Sequence, residues 1–148
     1  MARILVEQSL VIEAPAQRVY AIIADYHHGH PSILPQKYFP KLEVLHGGVG
    51  AGTVIRFQLK AFGQIHTSTA DITEPQPGRV LVETVRETPT VTTFFVDPVG
   101  EQSCKVTFHT AIDRPGLRGW IESFLVPGFL KKVYIEELEN LRRAATDA

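Results

Sequence analysis

Three histidines and an aspartate lie close together near the start of the sequence, where Asp25 precedes His27, His28 and His30. Imidazole and carboxylate groups are suitable ligands for zinc or iron. Their spacing does not favour a metal site, because adjacent histidines generally point apart and no two of these residues form an i,i+4 pair on a helix. We therefore expect no metal and no cofactor, and we interpret the segment as a polar loop.

Two further histidines, His66 and His109, lie in segments with strand-like sequences. Each would be a candidate general base if it faced a cavity near a carboxylate such as Asp71. Alternation along a strand places His109 on the face opposite Phe108 and Ile112, and therefore toward solvent. The segment around His66 is mixed on both faces, so its orientation stays open. Two surface histidines are the favoured interpretation, and a catalytic role is the alternative.

Tyrosine rings can pack in an apolar interior while their hydroxyl groups contact a ligand or water. The sequence has four, at positions 20, 26, 38 and 134. Tyr26 and Tyr38 flank a short segment after the first predicted helix and are the better candidates for polar ligand contacts, with a packed lid as an equally supported alternative. Tyr134 is expected to pack in the core. We assign no catalytic residue.

Composition limits the classes of protein to which the chain can belong. Its 148 residues are 44% hydrophobic, which suits one domain spanning residues 1–148. The formal charge of -1 and the lack of a dense basic run argue against nucleic acid as a partner. Lysines and arginines near the C-terminus are interspersed with Glu136, Glu137 and Glu139, which predicts a solvated helix face.

The lone cysteine, Cys104, excludes an intramolecular disulfide and suits a reducing compartment. Its place in a strand-like segment favours a structural thiol over a nucleophile. Glu7 interrupts the N-terminal segment before a secretory apolar region can form, and no apolar run is long enough to span a bilayer. We therefore expect a cytoplasmic protein with no stable membrane insertion.

A long amphipathic helix is predicted over residues 117 to 145, since apolar residues there recur at helical spacing. They are Leu117, Trp120, Ile121, Phe124, Leu130, Tyr134, Leu138 and Leu141. Pro127 lacks a backbone donor, so we expect a kink there, with Phe129 and Leu130 turning inward after it. Trp120 is expected to border the interior.

The segments before this helix predict a strand, two short helices and six further strands. Residues 3 to 13 have a strand-like sequence, and Pro15 is suited to the first turn of the helix that follows. A short helical turn is predicted at residues 32 to 34. From residue 39 onward, glycine and proline turns recur at intervals that are typical of antiparallel hairpins, among them Phe62-Gly63, Pro75 to Gly78 and Asp97 to Gly100.

Alternation within the predicted strands identifies the side chains that face the interior. In the strand over residues 53 to 60, Phe57 and Leu59 face inward and Arg56 faces water. The strand over residues 91 to 97 offers two choices, and Phe94 inside is favoured over Phe95.

Two short motifs carry a resemblance to a known family. The segment Ile12-Glu13-Ala14-Pro15-Ala16-Gln17-Arg18-Val19-Tyr20 joins the first strand to a helix that ends at Asp25-Tyr26, and Val49-Gly50-Ala51-Gly52-Thr53 opens a strand. With this order of elements, nearly the whole chain resembles the START/Bet v 1-like (SRPBCC) superfamily, in its polyketide cyclase/dehydrase and lipid-transport branch. Relatives often carry Trp-x-Pro where this chain has His30-Pro31 and Ile33-Leu34-Pro35, so its cavity mouth is expected to differ.

The resemblance implies an α+β helix-grip fold. In this fold a seven-stranded, curved antiparallel sheet wraps around the long C-terminal helix, and two short helices lie between strands 1 and 2. The resemblance also implies a hydrophobic cavity between sheet and helix, with His27, His28 and His30 at its rim. Members bind lipids, sterols, quinones or polyketides, and some catalyse cyclisation, so the family narrows the ligand class without fixing the chemistry.

The leading functional expectation is binding of a small hydrophobic or amphipathic molecule, lipid-, quinone- or polyketide-like, by a monomer or homodimer. The expected ligand-binding residues are Tyr26, His30, Leu34, Tyr38, Phe57, Leu59, Phe94, Phe108, Trp120, Phe124 and Leu130. The alternative is a cyclase/dehydrase-type enzyme that uses Tyr26, Tyr38 or His30 as acid or base in the same cavity. A protein-interaction module is a further alternative, which a filled interior and a large exposed apolar patch would favour.

Overall fold

The computed structural model of the chain describes the backbone of residues 2–114 and 116–147 and the side chains of residues 3–113 and 125–147. Within these residues, seven strands and three helices follow one another along the chain. They are β1 (Ala2–Ile12), α1 (Ala16–Ala24), α2 (Gly29–Ile33), β2 (Leu42–His46), β3 (Val54–Ala61), β4 (Gln64–Gln76), β5 (Val80–Val85), β6 (Thr90–Gly100), β7 (Ser103–Arg114) and α3 (Gly116–Thr146).

The strands form one antiparallel sheet in the order β1-β7-β6-β5-β4-β3-β2. Consecutive strands from β2 to β7 are neighbours, and β1 pairs with β7 at one edge. The β3–β4 hairpin shows how turn chemistry sets this register. Ala61 lies opposite Gln64, and Phe62 and Gly63 between them have φ values of 52° and 76°. Positive φ at both central residues is typical of the two-residue type I′ turn, whose twist matches that of the strands.

The long helix α3 packs against β1, β7, α1 and α2. It stays helical through Pro127; the predicted kink stays a prediction. In its described half, the buried apolar side chains recur at helical spacing: Leu130, Val133, Tyr134, Leu138 and Leu141. They join the inner face of the sheet in one cluster of buried residues that also includes the apolar face of α1. No helix in the part of the chain that the structure describes is long and apolar enough to cross a membrane.

The loop between β2 and β3 fixes the end of α1. Tyr26 donates its backbone N–H to Gly48 over 2.8 Å, and Gly50 donates to Ala24 over 2.9 Å. Gly48 allows this approach because a Cβ there would lie 1.9 Å from Nε2 of His27. The chain leaving α1 is therefore held in place, and α2 follows it at a defined position.

The predicted helix-grip fold is confirmed, including the two short helices between the first two strands and the long C-terminal helix. Alternation is also as predicted at Arg56, which is exposed, and at Phe94, which is buried. Cys104 is buried in β7, and burial raises the pKa of its thiol. This environment suits a structural thiol.

Candidate functional site

A cavity of about 610 Å³ lies between the inner face of the sheet and α3. Strand β3 lines it with Ile55, Phe57 and Leu59, which project to one face because side chains alternate along a strand. Across from them, α3 contributes Phe129 and Leu130. The wall is therefore mainly apolar, and its volume lies within the range of small-molecule sites.

Six of the residues that we predicted to bind a ligand lie on this wall. They are His30, Leu34, Phe57, Leu59, Phe94 and Leu130. Alternation along the strands accounts for Phe57, Leu59 and Phe94, and helical spacing in α3 accounts for Leu130. His30 and Leu34 reach the wall from α2 and the residue after it.

Three other predicted ligand contacts are not among the residues that line the cavity, and their role in binding stays a prediction. Tyr26 is 1% exposed and directs its hydroxyl to Glu83. The ring of Tyr38 packs edge-on against Phe129, with 5.5 Å between centroids. Phe108 is fully buried between Phe94 and Tyr134. The side chains of Trp120 and Phe124, also predicted, lie outside the described residues.

One part of the cavity is polar and buried. His30, Thr92, Thr110, Tyr134 and Glu137 line it and are each at most 9% exposed, and the Glu83 side chain beside them is 15% exposed. We call these six residues the polar end: His30, Glu83, Thr92, Thr110, Tyr134 and Glu137.

Glu83 is the centre of the hydrogen bonding at the polar end. The hydroxyl of Tyr26 donates to its Oε2 over 2.5 Å, and Nε2 of His30 lies 3.6 Å from the same oxygen. The ring of His30 stacks on that of Tyr26, with 4.4 Å between centroids. Nδ1 of His30 lies 2.7 Å from the carbonyl oxygen of Ile23, which can only accept. Nδ1 therefore carries the proton, and Nε2 faces the carboxylate.

Hydroxyl groups form a second chain at the polar end. Oγ1 of Thr92 lies 2.8 Å from Oγ1 of Thr110, which in turn bonds the hydroxyl of Tyr134. Because each hydroxyl can both donate and accept, this chain can adapt to a ligand that offers either group.

Burial raises the pKa values of acidic groups at and beside the polar end. It raises the pKa of the Glu137 carboxyl well above its usual value, and the negative charge of Glu83 raises it further. The pKa of Tyr26 is also raised, first by burial and then by the charge and hydrogen bond of Glu83. Glu137 therefore favours the neutral acid, whereas Glu83 accepts the hydrogen bond from Tyr26.

The expectation of a solvated face is wrong for Glu137, which is 2% exposed. Its neighbours follow the expectation better, since Glu136 pairs with Lys37 and Glu139 pairs with Arg142, both at half-exposed positions. The signal was present in the sequence. Glu137 lies three residues after Tyr134 and four before Leu141, so it occupies the same helix face as the apolar residues.

Glu83 was likewise not identified from the sequence. Glu83 lies two residues from both Leu81 and Val85 along β5. Because side chains alternate between the two faces of a strand, all three project to the inner face of the sheet. A carboxylate between two inward apolar residues is an uncommon arrangement, which makes Glu83 a candidate functional residue.

The histidines near Asp25 point in different directions. His27 contacts Gly48, and the exposed ring of His28 faces Asp25 at 3.8 Å. His30 is buried on the cavity wall, so its predicted place in a polar rim loop is corrected. Among the described residues, no group of three or more potential ligands is arranged to hold a metal ion.

Exposed wall residues mark where the cavity meets solvent. Phe62, Leu125, Gln64 and His66 all line it and are all exposed. His66, whose orientation the sequence left open, thus lies at this mouth. His109 is not on the wall.

Comparisons with known proteins agree with this architecture. Residues 3–146 match the family model described as polyketide cyclase / dehydrase and lipid transport. The solution structure of the KanY protein is similar over 98% of this chain and 99% of its own, with 27% identity and a TM-score of 0.84. Comparison with curated proteins found no match.

Two more distant structures share the fold. The Zhui aromatase/cyclase from Streptomyces sp. R1128 is 20% identical, with a TM-score of 0.74 over 97% of this chain and 93% of its own. A START superfamily protein from Mycobacterium smegmatis is 17% identical, with a TM-score of 0.65 over 95% and 92%. With the family match across almost all of its length, the chain belongs to the family described as polyketide cyclase / dehydrase and lipid transport.

Proposed function

We propose that this protein binds a small hydrophobic or amphipathic molecule, lipid-, quinone- or polyketide-like, in the cavity between the sheet and α3. The observation that carries the proposal is the cavity itself, about 610 Å³ with apolar walls and a buried polar end. Desolvation of the ligand, at about 25 cal/mol per Å² of apolar surface, supplies most of the affinity. The polar end fixes the orientation of a ligand that carries a polar group, and binding of micromolar strength is expected once ordering costs are met.

A substitution that fills the cavity tests the proposal. Val85 lines the cavity, whereas Val82 lies on the opposite face of the same strand. Val85→Phe should lower the affinity for a fused-ring probe such as 2-(1-naphthyl)ethanol by about tenfold or more. Val82→Phe adds the same volume on the other side of β5 and should leave the affinity within about twofold. Isothermal titration calorimetry measures both. Equal effects of the two substitutions would contradict binding in the cavity.

The polar end also supports the second candidate function, a cyclase/dehydrase-type enzyme. Glu83 lies within reach of Tyr26 and His30, which supplies the coupled titratable groups that acid–base chemistry requires. In such a reaction the Glu83–His30 pair would accept a proton from a carbon next to a carbonyl. Glu137 in its neutral form would donate a proton to the carbonyl oxygen.

Deuterium exchange next to the carbonyl of α-tetralone, followed by NMR in heavy water, tests this second candidate. Wild-type protein should accelerate the exchange, and Glu83→Gln should abolish the acceleration. Binding of α-tetralone without accelerated exchange would remove the enzymatic alternative. A protein-interaction module is less favoured, since the interior contains a cavity of ligand size.

A further inference from the structure

We infer that the polar end of the cavity selects apolar molecules that carry a protonated amine, in preference to neutral or anionic molecules of the same shape. The inference rests on the proposed ligand-binding function and names the chemical class of its ligand. Three observations carry it: two carboxyl groups on one cavity wall, the burial of Glu137, and the absence of lysine and arginine from the described residues that line the cavity.

The first observation is that two carboxyl groups, those of Glu83 and Glu137, line one end of the cavity. No lysine or arginine is among the described residues that line it. An ammonium group offers a positive charge and three N–H donors, which suits two carboxyl groups better than a single hydroxyl does.

The second observation concerns Glu137. Its side chain is 2% exposed and lines the cavity. An ionised carboxyl at such a buried position is costly, so binding of a cationic group beside it is favoured. This carboxyl is aimed at the ligand space, which distinguishes it from Glu136 on the same helix, whose partner is Lys37.

The other titratable groups around Glu137 come from three elements, and none of those described is a lysine or an arginine. Glu83 faces it from β5, His30 from α2, Tyr134 from α3, and Tyr26 lies behind Glu83. Apart from His30, no basic side chain of the described residues pairs with either carboxyl. Burial and the charge of Glu83 hold Glu137 in its neutral form, at a raised pKa. A bound ammonium group would favour the carboxylate again, so Glu137 should release a proton when an amine binds.

A set of three naphthyl probes of similar shape tests the inference. They are 2-(1-naphthyl)ethylamine, 2-(1-naphthyl)ethanol and 1-naphthylacetate, which are cationic, neutral and anionic at pH 7. Calorimetry should give the amine an affinity about tenfold or more above that of the alcohol, with the carboxylate weakest. Repeating the amine titration in phosphate and in Tris buffer, which have different ionisation enthalpies, should reveal proton release of up to about one per ligand.

Two isosteric substitutions on adjacent residues of α3 complete the test. Glu137→Gln should lower the affinity for the amine by about tenfold, abolish the proton release and leave the affinity for the alcohol within about twofold. Glu136→Gln, outside the cavity, should change none of these. The inference is overturned if the alcohol or the carboxylate binds as tightly as the amine, or if Glu137→Gln keeps the preference for the amine. If none of the three probes binds, the proposed function itself fails, and the two failures are thereby distinguished.

Discussion

Glu137 occupies the apolar face of α3, where an ionised carboxyl is expensive because it loses its hydration. Its raised pKa is the consequence, and this makes the stability of the fold depend on pH. Above the ordinary pKa of 4.5, the unfolded chain ionises Glu137 while the folded chain retains the proton. The folded state then binds more protons, so the free energy of unfolding falls as the pH rises.

Glu137→Gln should remove this pH dependence. The variant should be more stable than the wild type at pH 8, and its advantage should shrink toward pH 4.5, with a difference in slope of at most about 1.4 kcal/mol per pH unit. Urea unfolding at pH 5 and pH 8 measures it.

Glu136→Gln is the matched control, and its effect on the free energy of unfolding at pH 8 is expected to have the opposite sign. The hydrogen bond from Lys37 lowers the pKa of Glu136, so this carboxylate contributes stability above its ordinary pKa, and that contribution is lost in acid. Glu136→Gln should therefore be slightly less stable than the wild type at pH 8. A Glu137→Gln variant that is less stable than the wild type at pH 8 would contradict the assignment of a buried neutral acid.

Tyr26 stabilises the fold through the hydrogen bond from its hydroxyl to Glu83. Tyr26→Phe should lower the free energy of unfolding by about 1.5–3 kcal/mol, since Tyr26 is 1% exposed and the acceptor of its hydrogen bond is a carboxyl group. Tyr20 donates a similar bond of 2.6 Å to Glu74, in more solvated surroundings. Tyr20→Phe should therefore cost about 1 kcal/mol. Chemical denaturation compares the two variants, and an equal or larger loss for Tyr20→Phe would argue against a special role of the Glu83 bond.

The sequence allows some side chains of the site to be predicted and not others. Phe57, Leu59 and Leu130 follow from periodicity alone. Glu83 and Glu137 lie at positions that the same periodicity predicts to be buried. Their residue type predicts exposure to solvent, so the two criteria give opposite predictions for these side chains. Tyr26 is predicted to contact the ligand because it flanks the short segment after the first helix, but its hydroxyl bonds a carboxyl group of the protein instead. That partner, Glu83, lies 57 residues away and becomes a neighbour only through the pairing of strands.

At the scale of elements, helix α2 holds His30 against the cavity, and α3 holds α2. Nδ2 of Asn140 on α3 donates to the carbonyl oxygen of Ile33, the last residue of α2, over 2.9 Å. A five-residue helix has little stability of its own, so contacts of this kind determine its position.

Asn140→Ala should therefore loosen α2. We expect a loss of about 1 kcal/mol or less in the free energy of unfolding, because alanine's higher helix propensity offsets part of the lost hydrogen bond. Amide hydrogen exchange in residues 29–33 should accelerate more than elsewhere. Glu139→Ala removes a surface ion pair with Arg142 and should leave that exchange unchanged. Uniform acceleration across the sheet in Asn140→Ala would show that the contact does not act on α2 specifically.

Most elements are predictable because their patterns are local. Strand alternation, the turn at Phe62-Gly63 and the helical spacing of the C-terminal segment all act over a few residues. Two predicted turns, at Pro75 to Gly78 and Asp97 to Gly100, are partly strand instead. Here β4 and β6 continue past a proline by shifting register. A bulge accommodates proline at the end of a strand, and a sequence pattern does not distinguish a bulge from a turn.

At the scale of the whole molecule, the interior holds a cavity that the sequence alone does not specify. Periodicity identifies which side chains face inward, but the volume that they leave free depends on how the sheet curves around α3 and how the rings pack. Edge-to-face contacts join Phe94, Phe108 and Tyr134 into a packed layer, and the cavity remains beside that layer. The family resemblance predicted a cavity; its polar end became visible only in the structure.

The most direct measurement is the position of a bound probe, from intermolecular nuclear Overhauser effects in solution. Protons of the naphthyl ring of 2-(1-naphthyl)ethylamine should show effects to methyl groups of Ile55, Leu59 and Val85, which line the cavity. Exposed methyl groups on the outside of the sheet, such as those of Leu5 and Val11, should show none. Effects confined to exposed methyl groups, or saturable binding with no effect at the three wall residues, would contradict binding between the sheet and α3.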